Sequence, residues 1–324
     1  MRHVKLYIEN WPLKEPFIIT GYTFEDTPVL YVTISENGHM GRGEATGVYY
    51  QNETAESMLA QAESVSVALE QGADRHQLRQ LLPAGGARNA IDCALWDLEA
   101  KRSGKTIWQL TGIEQKQIIT VNTVGIDSPD NMAAKAESLD TVKIKVKLDN
   151  EMPIERIQAV IAARPDAEIV VDINQGWTFE QLVELAPKFK ELGVAMLEQP
   201  LPRGSDKDLE GYDSPIVLCA DESCMDTSEL AMASRRYQMV NIKLDKTGGL
   251  TEALDLAKQA RDKGMGLMVG NMTGTSLAMA PGLVIAQLCD FVDLDGALFL
   301  TRDRDNAMNY EKGVVSGLTP ALWG

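Results

Sequence analysis

The sequence predicts an α/β protein in which a small α+β domain precedes a larger (β/α) barrel. Two observations indicate this fold class. Eight apolar, strand-like runs recur at regular intervals from about residue 117 onward, and helix-like segments lie between them. Strands that alternate with helices form parallel sheets, and eight of them predict a sheet closed into a barrel. The first third differs, because its apolar runs alternate with polar residues and end in Asn-Gly or Gly-rich turns, as antiparallel strands do.

Residues 1–116 supply the elements of the α+β domain. The strand-like stretches are "VKLYIENW", "FIIT" and "PVLYVTISENGHMGRGEA". Two helices follow them. One lies within "ETAESMLAQAESVSVALEQG" and ends at Gly72, and the other is "ARNAIDCALWDLEAKRSG", whose apolar residues recur at helical spacing. The expected order is therefore an antiparallel meander followed by two helices.

Residues 117–298 carry the barrel pattern. The eight strand-like runs are, in order, "IITVNTV", "VKIKVKL", "EIVVDIN", "AMLEQP", "PIVLCA", "MVNIKLD", "LMVGNM" and "FVDLDG". Helix-like segments such as "TFEQLVELAPKFKELG" and "LTEALDLAKQARDKG" separate them. Residues 299–324 are polar and punctuated by Gly, and we expect them to return to the first domain. Because no low-complexity linker separates the two domains, we expect them to pack firmly.

Composition excludes several classes of partner. The formal net charge of −16 argues against nucleic acid and anionic membranes. No apolar run approaches the length of a membrane span, and the N-terminal residues lack the continuous apolar region of a secretory signal. The four cysteines are scattered without a C-x-x-C pair, which indicates reduced thiols in a cytoplasmic protein. A homo-oligomer is left open.

Histidine is confined to the first domain. The three histidines are His3, His39 and His76, and all of them precede the barrel. Acid–base chemistry in the barrel must therefore use lysine, a carboxylate or a metal ion.

A row of lysines lies in the second strand of the barrel. Lys143, Lys145 and Lys147 occupy alternating positions, and side chains two apart on a strand point to the same face. On an isolated strand, such a row is typical of a solvent-facing side. A barrel strand is covered on both faces, so we expect Ile144 and Val146 to face the helices and the lysines to face the interior.

Acidic residues lie at the ends of three consecutive barrel strands. Asp172, Glu198 and Asp221 lie at the ends of the third, fourth and fifth strands, and Lys243 lies on the sixth. Active sites of barrels lie at the carboxyl ends of the strands, so these carboxylates are expected to converge. An oxygen-ligated divalent cation such as Mg²⁺ would neutralise their repulsion. A single acid of this kind is often solvated at a loop edge or caps a helix, but three consecutive strand ends favour the metal site.

Several motifs, in this order and spacing, resemble the enolase superfamily and, within it, dipeptide epimerases of the L-Ala-D/L-Glu type. They are "KIKVK", "DINQGW", "LEQPLP", "ADES", "NIKLDKTGG" and "DLDG". The resemblance extends over nearly the whole chain, because "LPAGGARNAIDCALWDLEAKRSG" and "GVAMLEQPLP" are also similar to that family. It implies a (β/α)7β modified TIM barrel with an N-terminal α+β capping domain, and an active site at their junction.

The resemblance also implies the catalytic parts. Asp172, Glu198 and Asp221 match the three Mg²⁺ ligands, and Lys145 and Lys243 match two catalytic lysines on opposite sides of the barrel. One lysine removes the proton α to a carboxylate, which gives an enediolate that Mg²⁺ stabilises. The other lysine returns a proton to the opposite face, and the result is epimerisation.

The remaining lysines near these motifs are expected to play smaller parts. Lys143 matches a supporting neighbour of Lys145, Lys147 receives no role, and Lys246 is expected to make a structural contact at the strand end. A lysine base must be neutral, and the ordinary lysine pKa of about 10.4 is too high for that at neutral pH. We expect the neighbouring ammonium group and the divalent cation to lower the pKa of Lys145.

The substrate contacts follow from the same resemblance. It implies that Asp293 and Asp295, two apart on the last strand, hold the free ammonium group of a dipeptide. Phe24 stands where relatives specific for a glutamyl residue carry an Arg, so we expect a neutral and apolar second side chain rather than glutamate. A cationic side chain is the second choice, because Glu25 and Asp26 adjoin Phe24.

Two other functions fit the same motifs. A muconate-type cycloisomerase or an o-succinylbenzoate synthase would use the same metal ligands and lysines, but neither substrate offers an ammonium group to Asp293 and Asp295. A non-catalytic barrel that binds a metal–carboxylate complex is the alternative from another class. Exchange of the α-proton of a dipeptide would distinguish the epimerase from both.

Overall fold

The structure, a computed structural model, describes residues 2–324 and begins with the capping domain. The elements of this domain are β1 (Arg2–Ile19), β2 (Tyr22–Glu36), β3 (His39–Thr46), a 3-10 turn (Tyr49–Gln51), α1 (Ala55–Glu70), α2 (Arg75–Leu81), α3 (Gly86–Ser103) and α4 (Ile107–Thr111). The three strands form an antiparallel meander in the order β1-β2-β3. The hairpin between β1 and β2 has a register shift between Pro12 and Phe17, so the pairing of its two strands is interrupted below the tip.

Helix α3 lies directly on the meander. A Cβ atom added at Gly41 would stand 2.1 Å from the carbonyl oxygen of Ala94, and one at Gly43 would stand 2.0 Å from that of Ala90. Only glycine on β3 permits so close an approach of the helix backbone. Helix α3 is therefore enclosed from Gly86 to Leu98, where even the polar side chains of Arg88, Asn89 and Asp92 are buried.

The second domain is built from eight parallel strands. In chain order, its elements are β4 (Ile118–Ile119), β5 (Asn122–Val124), α5 (Pro129–Ser138), β6 (Lys143–Lys147), α6 (Pro153–Ala163), β7 (Glu168–Asp172), α7 (Phe179–Glu191), β8 (Met196–Glu198), a 3-10 turn (Lys207–Leu209), β9 (Val217–Ala220), α8 (Leu230–Ala233), β10 (Met239–Lys243), α9 (Leu244–Thr247), α10 (Leu250–Asp262), β11 (Gly266–Gly270), α11 (Ser276–Ala286) and β12 (Phe291–Val292). Strands β5 to β12 pair in sequence order. The fourth connection, from β8 to β9, has a 3-10 turn where a helix would stand in an ideal barrel.

The first and last strands meet along a seam rather than a regular ladder. The amide of Val121 donates to the carbonyl oxygen of Val292 at 2.9 Å. Two side chains complete the closure, because Thr120 Oγ1 accepts from the amide of Leu294 at 2.8 Å, and the carboxylate of Asp295 accepts from a backbone amide of β5. The curled sheet is thus closed partly by side chains.

The run "IITVNTV" is not one strand. Its first residues form β4, which pairs with β14 (Val314–Ser316) in a small sheet that also contains β13 (Asn309–Glu311). Thr120 lies between β4 and β5, and its amide donates to the carbonyl oxygen of Gly313 at 2.8 Å rather than to a barrel strand. The prediction of a single strand was wrong because the chain's distant end competes for its first residues.

Residues after the barrel contact the capping domain. The guanidinium of Arg304 lies 2.7 Å from the carboxylate of Glu9 and also contacts Glu44. The indole of Trp323 is fully buried and donates to the carbonyl oxygen of Cys93 on α3 at 3.0 Å. Among residues 2–324, none of the helices combines the length and apolarity needed to cross a membrane.

Candidate active site

The strand register brings acids and one lysine to the same level of the barrel. Lys147 pairs with Asp172 between β6 and β7, and Asp172 pairs with Glu198 between β7 and β8. Asp221 directly follows β9, and Lys243 is the last residue of β10. All five side chains therefore lie at the carboxyl ends of adjacent or nearby strands, where barrel enzymes place their chemistry.

The three carboxylates of Asp172, Glu198 and Asp221 have no exposed surface. Burial raises the pKa of Glu198, and the charges of Asp172 and Asp221 raise it further. Lys147 and Lys145 outweigh burial at Asp172 and hold its pKa at about 2. Such mutual influence requires the three acids to be close to one another.

The donor set fits a divalent cation. Within the described chain, Oε2 of Glu198 and Oδ1 of Asp221 make no hydrogen bond, although ammonium groups of Lys145 and Lys246 lie 2.8 Å and 2.7 Å from them. Among residues 2–324, no three metal-ligating side chains stand close enough to hold an ion as they are, because lysine ammonium groups lie between the acids. Buried carboxylate oxygens without hydrogen bonds are the ligands that Mg²⁺ prefers.

Lys145 lies one level below this layer and is only 1% exposed. Its ammonium group lies 3.1 Å from Asp172, 2.8 Å from Glu198 and 2.8 Å from Asp293. Burial by itself would lower the pKa of Lys145, but Asp293, Glu198 and Asp172 together raise it well above its ordinary value. Carboxylates rather than ammonium groups dominate its surroundings, and the lowering expected from a bound divalent cation stays a prediction.

Lys147, which received no role from the sequence, is the lysine of this strand that lines the cavity above the acids. Its ammonium group lies 2.6 Å from Oδ2 of Asp172 and 3.1 Å from Oδ1 of Asn174. Lys143 begins the strand at the opposite end of the barrel, where it pairs with Glu168 at 2.9 Å and is partly exposed. The three lysines share a face as predicted, but they lie at successive depths.

Lys243 faces the same cavity from the other side. Its ammonium group lies 2.8 Å from Oδ2 of Asp221. Burial would lower the pKa of Lys243, but Asp221 and Glu198 raise it. Lys246 is fully buried and donates to the backbone carbonyls of Asp221, Cys224 and Asn241 at 2.6–3.0 Å, a structural contact of the kind expected for it.

The cavity has a volume of about 350 Å³ and lies between the capping domain and the strand ends. The hairpin of β1 and β2 contributes Phe17, Ile19 and Phe24 to its wall. Phe24 is partly buried, and its ring centroid lies 5.3 Å from that of Tyr49, which also lines the cavity. Among the described lining residues, the cations are the two lysines of the strand ends, and the acids include Glu25 and others of the capping domain.

Asp293 and Asp295 lie together behind the cavity wall. Asp293 contacts Lys145, and the side chain of Asn271, which lines the cavity, donates to the backbone carbonyl of Asp293 at 2.6 Å. Oδ2 of Asp295 accepts from the amide of Thr123 at 2.7 Å. Burial and the neighbouring Asp293 raise the pKa of Asp295 to about 8.

One buried acid of the site was missed by the sequence analysis. Glu222 follows Asp221 and is 1% exposed, with one carboxyl oxygen that makes no hydrogen bond. Burial and the charges of Asp221 and Asp172 raise the pKa of Glu222 to about 8. Adjacent residues of a strand face opposite ways, so a strand that continued through Asp221 would turn Glu222 away from the site. The strand β9 ends at Ala220, and only this end could have indicated that both acids are buried together.

Comparisons with known proteins agree with this architecture. Residues 1–112 match the profile described as "Mandelate racemase / muconate lactonizing enzyme, N-terminal domain", and residues 130–314 match "Enolase C-terminal domain-like". The L-Ala-D/L-Glu epimerase of Escherichia coli strain K12 is 45% identical over 317 residues, which cover 97% of this chain and 99% of that protein. A hydrophobic dipeptide epimerase of Roseobacter litoralis is 34% identical over 93% of this chain and 92% of its own length.

Solved structures give the same result. An enolase family member from Agrobacterium tumefaciens, described as homologous to dipeptide epimerases and bound to sodium and L-Ala-L-Glu, superposes with a TM-score of 0.97. It is 39% identical, and the match covers 100% of both chains. A dipeptide epimerase from Methylococcus capsulatus, in complex with Mg and L-Arg-D-Lys, superposes with a TM-score of 0.90 at 30% identity over 97% of this chain and 96% of that one.

The fold, the strand-end acids and these matches together define the class: the chain belongs to the enolase superfamily. Within that superfamily it is a dipeptide epimerase, hence an isomerase, and its cofactor is Mg²⁺. The predictions of superfamily, fold class, reaction class and cofactor are confirmed.

Proposed function

We propose that this enzyme inverts the α-carbon of the C-terminal residue in an L-Ala-Xaa-type dipeptide, with Lys147 and Lys243 as the two bases. The observation that carries the proposal is the position of these lysines in one cavity. They end β6 and β10, the second and sixth strands of an eight-stranded barrel, so they lie on opposite sides of its axis. A carbon held between them is reached by one lysine from each face.

The other two sides of the barrel match the two ends of a dipeptide. The acids proposed as Mg²⁺ ligands, Asp172, Glu198 and Asp221, end the third to fifth strands. Asp293 and Asp295 follow the eighth strand, opposite the fourth. We assign the substrate carboxylate to the first group and the substrate ammonium to the second, with the α-carbon between the lysines.

The assignment moves the catalytic lysine of β6 from Lys145 to Lys147. Lys145 is tied to three carboxylates and has almost no exposed surface, whereas Lys147 lines the cavity. Lys145 is assigned a supporting role, because its charge holds Asp172, Glu198 and Asp293 together. Lys143, at the far end of the strand, is assigned no part in the reaction.

The proton is moved by the chain's own side chains. Nζ of one lysine takes the α-proton as a neutral amine, and Nζ of the other donates a proton to the opposite face of the same carbon. Asp172, Glu198 and Asp221 would hold Mg²⁺, which would supply positive charge beside the substrate carboxylate when the α-proton leaves. Asp172 and Asp221 are paired with Lys147 and Lys243, so neutralising these acids would ease loss of a proton from either lysine.

We also propose that the second side chain of the substrate is neutral and apolar. Phe17, Ile19, Phe24 and Tyr49 line the cavity, and an apolar group gains about 25 cal/mol per Å² of apolar area buried against such a wall. A glutamate carboxylate would lose its hydration with no arginine in the described lining to receive it, at a cost of several kcal/mol. The acids of the lining, such as Glu25, make a cationic side chain the second choice.

Deuterium exchange tests the proposal. With Mg²⁺ in D₂O, the enzyme should place one deuterium at the α-carbon of L-Ala-L-Leu and yield both epimers, as mass spectrometry and chiral chromatography would detect. Cycloisomerisation or β-elimination of other acids without dipeptide exchange would support a muconate-type cycloisomerase or an o-succinylbenzoate synthase. Binding without any turnover would support a non-catalytic barrel that binds a metal–carboxylate complex.

A matched variant tests the specificity. We expect kcat/KM to be higher for L-Ala-L-Leu and L-Ala-L-Phe than for L-Ala-L-Glu, with L-Ala-L-Lys between them. Phe24→Arg should shift this preference toward L-Ala-L-Glu, and Phe24→Leu, which adds no charge, should not. A clear wild-type preference for L-Ala-L-Glu would contradict the specificity while leaving the epimerase proposal in place.

We further propose a reducing compartment, in agreement with the cytoplasm expected from the sequence. Cys93, Cys219, Cys224 and Cys289 are free thiols, and the first three are buried. Burial raises the pKa of each of them, which keeps them as unreactive thiols.

A further inference from the structure

The turn that follows Lys243 connects three parts of the site. Lys243 immediately precedes α9, the short helix Leu244–Thr247. From the same turn, the ammonium of Lys246 reaches Oδ1 of Asp221 at 2.7 Å and also binds backbone carbonyls of neighbouring strands. Any movement of this turn would therefore displace both Lys243 and the acid with which it is paired.

Helix α3 of the capping domain binds this turn from outside the barrel. The guanidinium of Arg88 donates to the carbonyl oxygens of Thr247 at 2.6 Å and Gly248 at 3.2 Å. The side-chain amide of Asn89 donates to Oδ1 of Asp245 at 3.0 Å. Arg88 and Asn89 are 6% and 2% exposed, so water does not compete for these bonds.

The end of the turn is shaped to receive α3. A Cβ atom at Gly248 would lie 2.3 Å from Nε of Arg88, and one at Gly249 would lie 2.5 Å from Cβ of Asp92. Both glycines have positive φ values, +72° and +113°, which other residues rarely adopt. The helix and the turn are therefore in direct contact along their length.

The lysine on the opposite side of the cavity lacks such a support. The carbonyl of Leu148, the residue after Lys147, receives only a long bond of 3.5 Å from Thr20 of the capping domain. The next residue, Asp149, binds Arg156 at 2.6 Å and accepts a bond from Trp177, both within the barrel. Lys147 is thus positioned by the barrel, whereas the turn beside Lys243 is bound by the capping domain.

We propose that Arg88 and Asn89 are positioning residues for Lys243, acting through the turn at residues 244–248. The proposal depends on the two-base mechanism given above, in which Lys243 serves one antipode of the substrate. Neither residue lines the cavity, and the polar groups of both are used in bonds to the turn, so the proposal gives neither residue a contact with the substrate. Loss of either should slow proton transfer at Lys243 and leave proton transfer at Lys147 nearly unchanged.

The test measures α-proton exchange of each antipode separately in D₂O. Lys243→Ala first identifies the antipode whose exchange depends on Lys243. We expect Asn89→Ala and Arg88→Lys to reduce exchange of that antipode about tenfold or more, since small misplacements of a catalytic group are costly. Exchange of the other antipode should stay within about twofold, which also serves as an internal check that the variants fold.

Arg79→Ala is the matched control. Arg79 joins the capping domain to Glu252 and Asp255 of α10, at the same domain interface. Glu252 also lies 3.9 Å from Arg88, but the variant keeps the bonds of Arg88 to the turn. Arg79→Ala should not slow α-proton exchange of one antipode relative to that of the other. If Asn89→Ala and Arg88→Lys slow α-proton exchange of both antipodes equally, or of neither, the positioning role is refuted although the two-base mechanism stands. If the wild-type enzyme exchanges the α-proton of no dipeptide, the proposed function itself fails.

Discussion

The two sides of the cavity differ in what supports their lysine. Lys147 ends a strand whose neighbours all belong to the barrel, and its ammonium is shared between Asp172 and Asn174. Lys243 is paired with Asp221 and precedes a turn that the capping domain binds. The two proposed bases thus depend on different parts of the structure, and substitutions in the capping domain are expected to affect α-proton exchange of the two antipodes unequally.

Removing each lysine gives the largest expected effect. Lys147→Ala and Lys243→Ala should each reduce epimerisation by about 10³-fold or more, because a positioned acid–base group commonly contributes 10² to 10⁴. Each variant should still exchange the α-proton of one antipode, and the two variants should retain opposite antipodes. Retention of substantial epimerisation by either variant would show that the two lysines are not the pair of bases.

The proposed metal ligands give the next largest effect. Asp221→Asn removes the carboxylate partner of both Lys243 and Lys246, and Asp172→Asn removes that of Lys147 and one of the three partners of Lys145. Leaving buried ammonium groups unpaired should cost about 3–5 kcal/mol of stability and weaken Mg²⁺ binding. Isothermal titration with Mg²⁺ and chemical denaturation would measure both effects. Full turnover after exhaustive chelation with EDTA would contradict the metal site altogether.

Lys145→Met should have an intermediate effect that separates it from Lys147. Methionine fills a similar space but leaves Asp172, Glu198 and Asp293 without their shared cation. We expect turnover to fall about 10- to 100-fold, as for other groups that orient metal ligands, with both antipodes affected alike. Selective loss of one antipode in this variant would instead make Lys145 the base on β6, as the sequence first indicated.

The last effect concerns stability as a function of pH and lies on the Lys243 side. Burial raises the pKa of Asp245 from about 3.8 to about 7 in the folded protein, so its proton is held more tightly when folded. The associated stability is full below pH 3.8 and is lost as the pH rises through 7, with a slope of at most about 1.4 kcal/mol per pH unit. Asp245→Asn should flatten the free energy of unfolding between pH 5 and 7. An unchanged profile would mean that Asp245 does not titrate in this range.

Much of the fold and of the candidate metal site was accessible from the sequence. The alternation of strands and helices is local, and the acids Asp172, Glu198 and Asp221 are placed by the ends of their own strands. The sequence did not show which lysine of β6 lies level with the acids, because a period of two assigns Lys143, Lys145 and Lys147 to one face without fixing their register against the next strand. Their ranking depends on the register with β7, which pairs Lys147 with Asp172.

The contacts of α3 with the turn also could not be predicted from the sequence. Its apolar periodicity predicts a packed helix, yet the polar residues Arg88 and Asn89 would normally be assigned to a solvated face. Their partners Thr247 and Asp245 lie about half the chain away, and no local pattern joins residues at that separation. The prediction of "IITVNTV" as one strand failed for the same reason, because its first residues form β4 and pair with a strand from the end of the chain.

The seam between the first and last strands has a practical consequence for spectroscopy. The amide of Thr123 donates to the carboxylate of Asp295 rather than to a carbonyl, at 2.7 Å. The NMR resonance of an amide proton bound to a carboxyl group responds strongly to the charge on that group. In a protein labelled with ¹⁵N, the Thr123 signal would therefore shift when a substrate ammonium approaches Asp295, and a single assigned peak would report occupancy of the amino end of the site without any turnover.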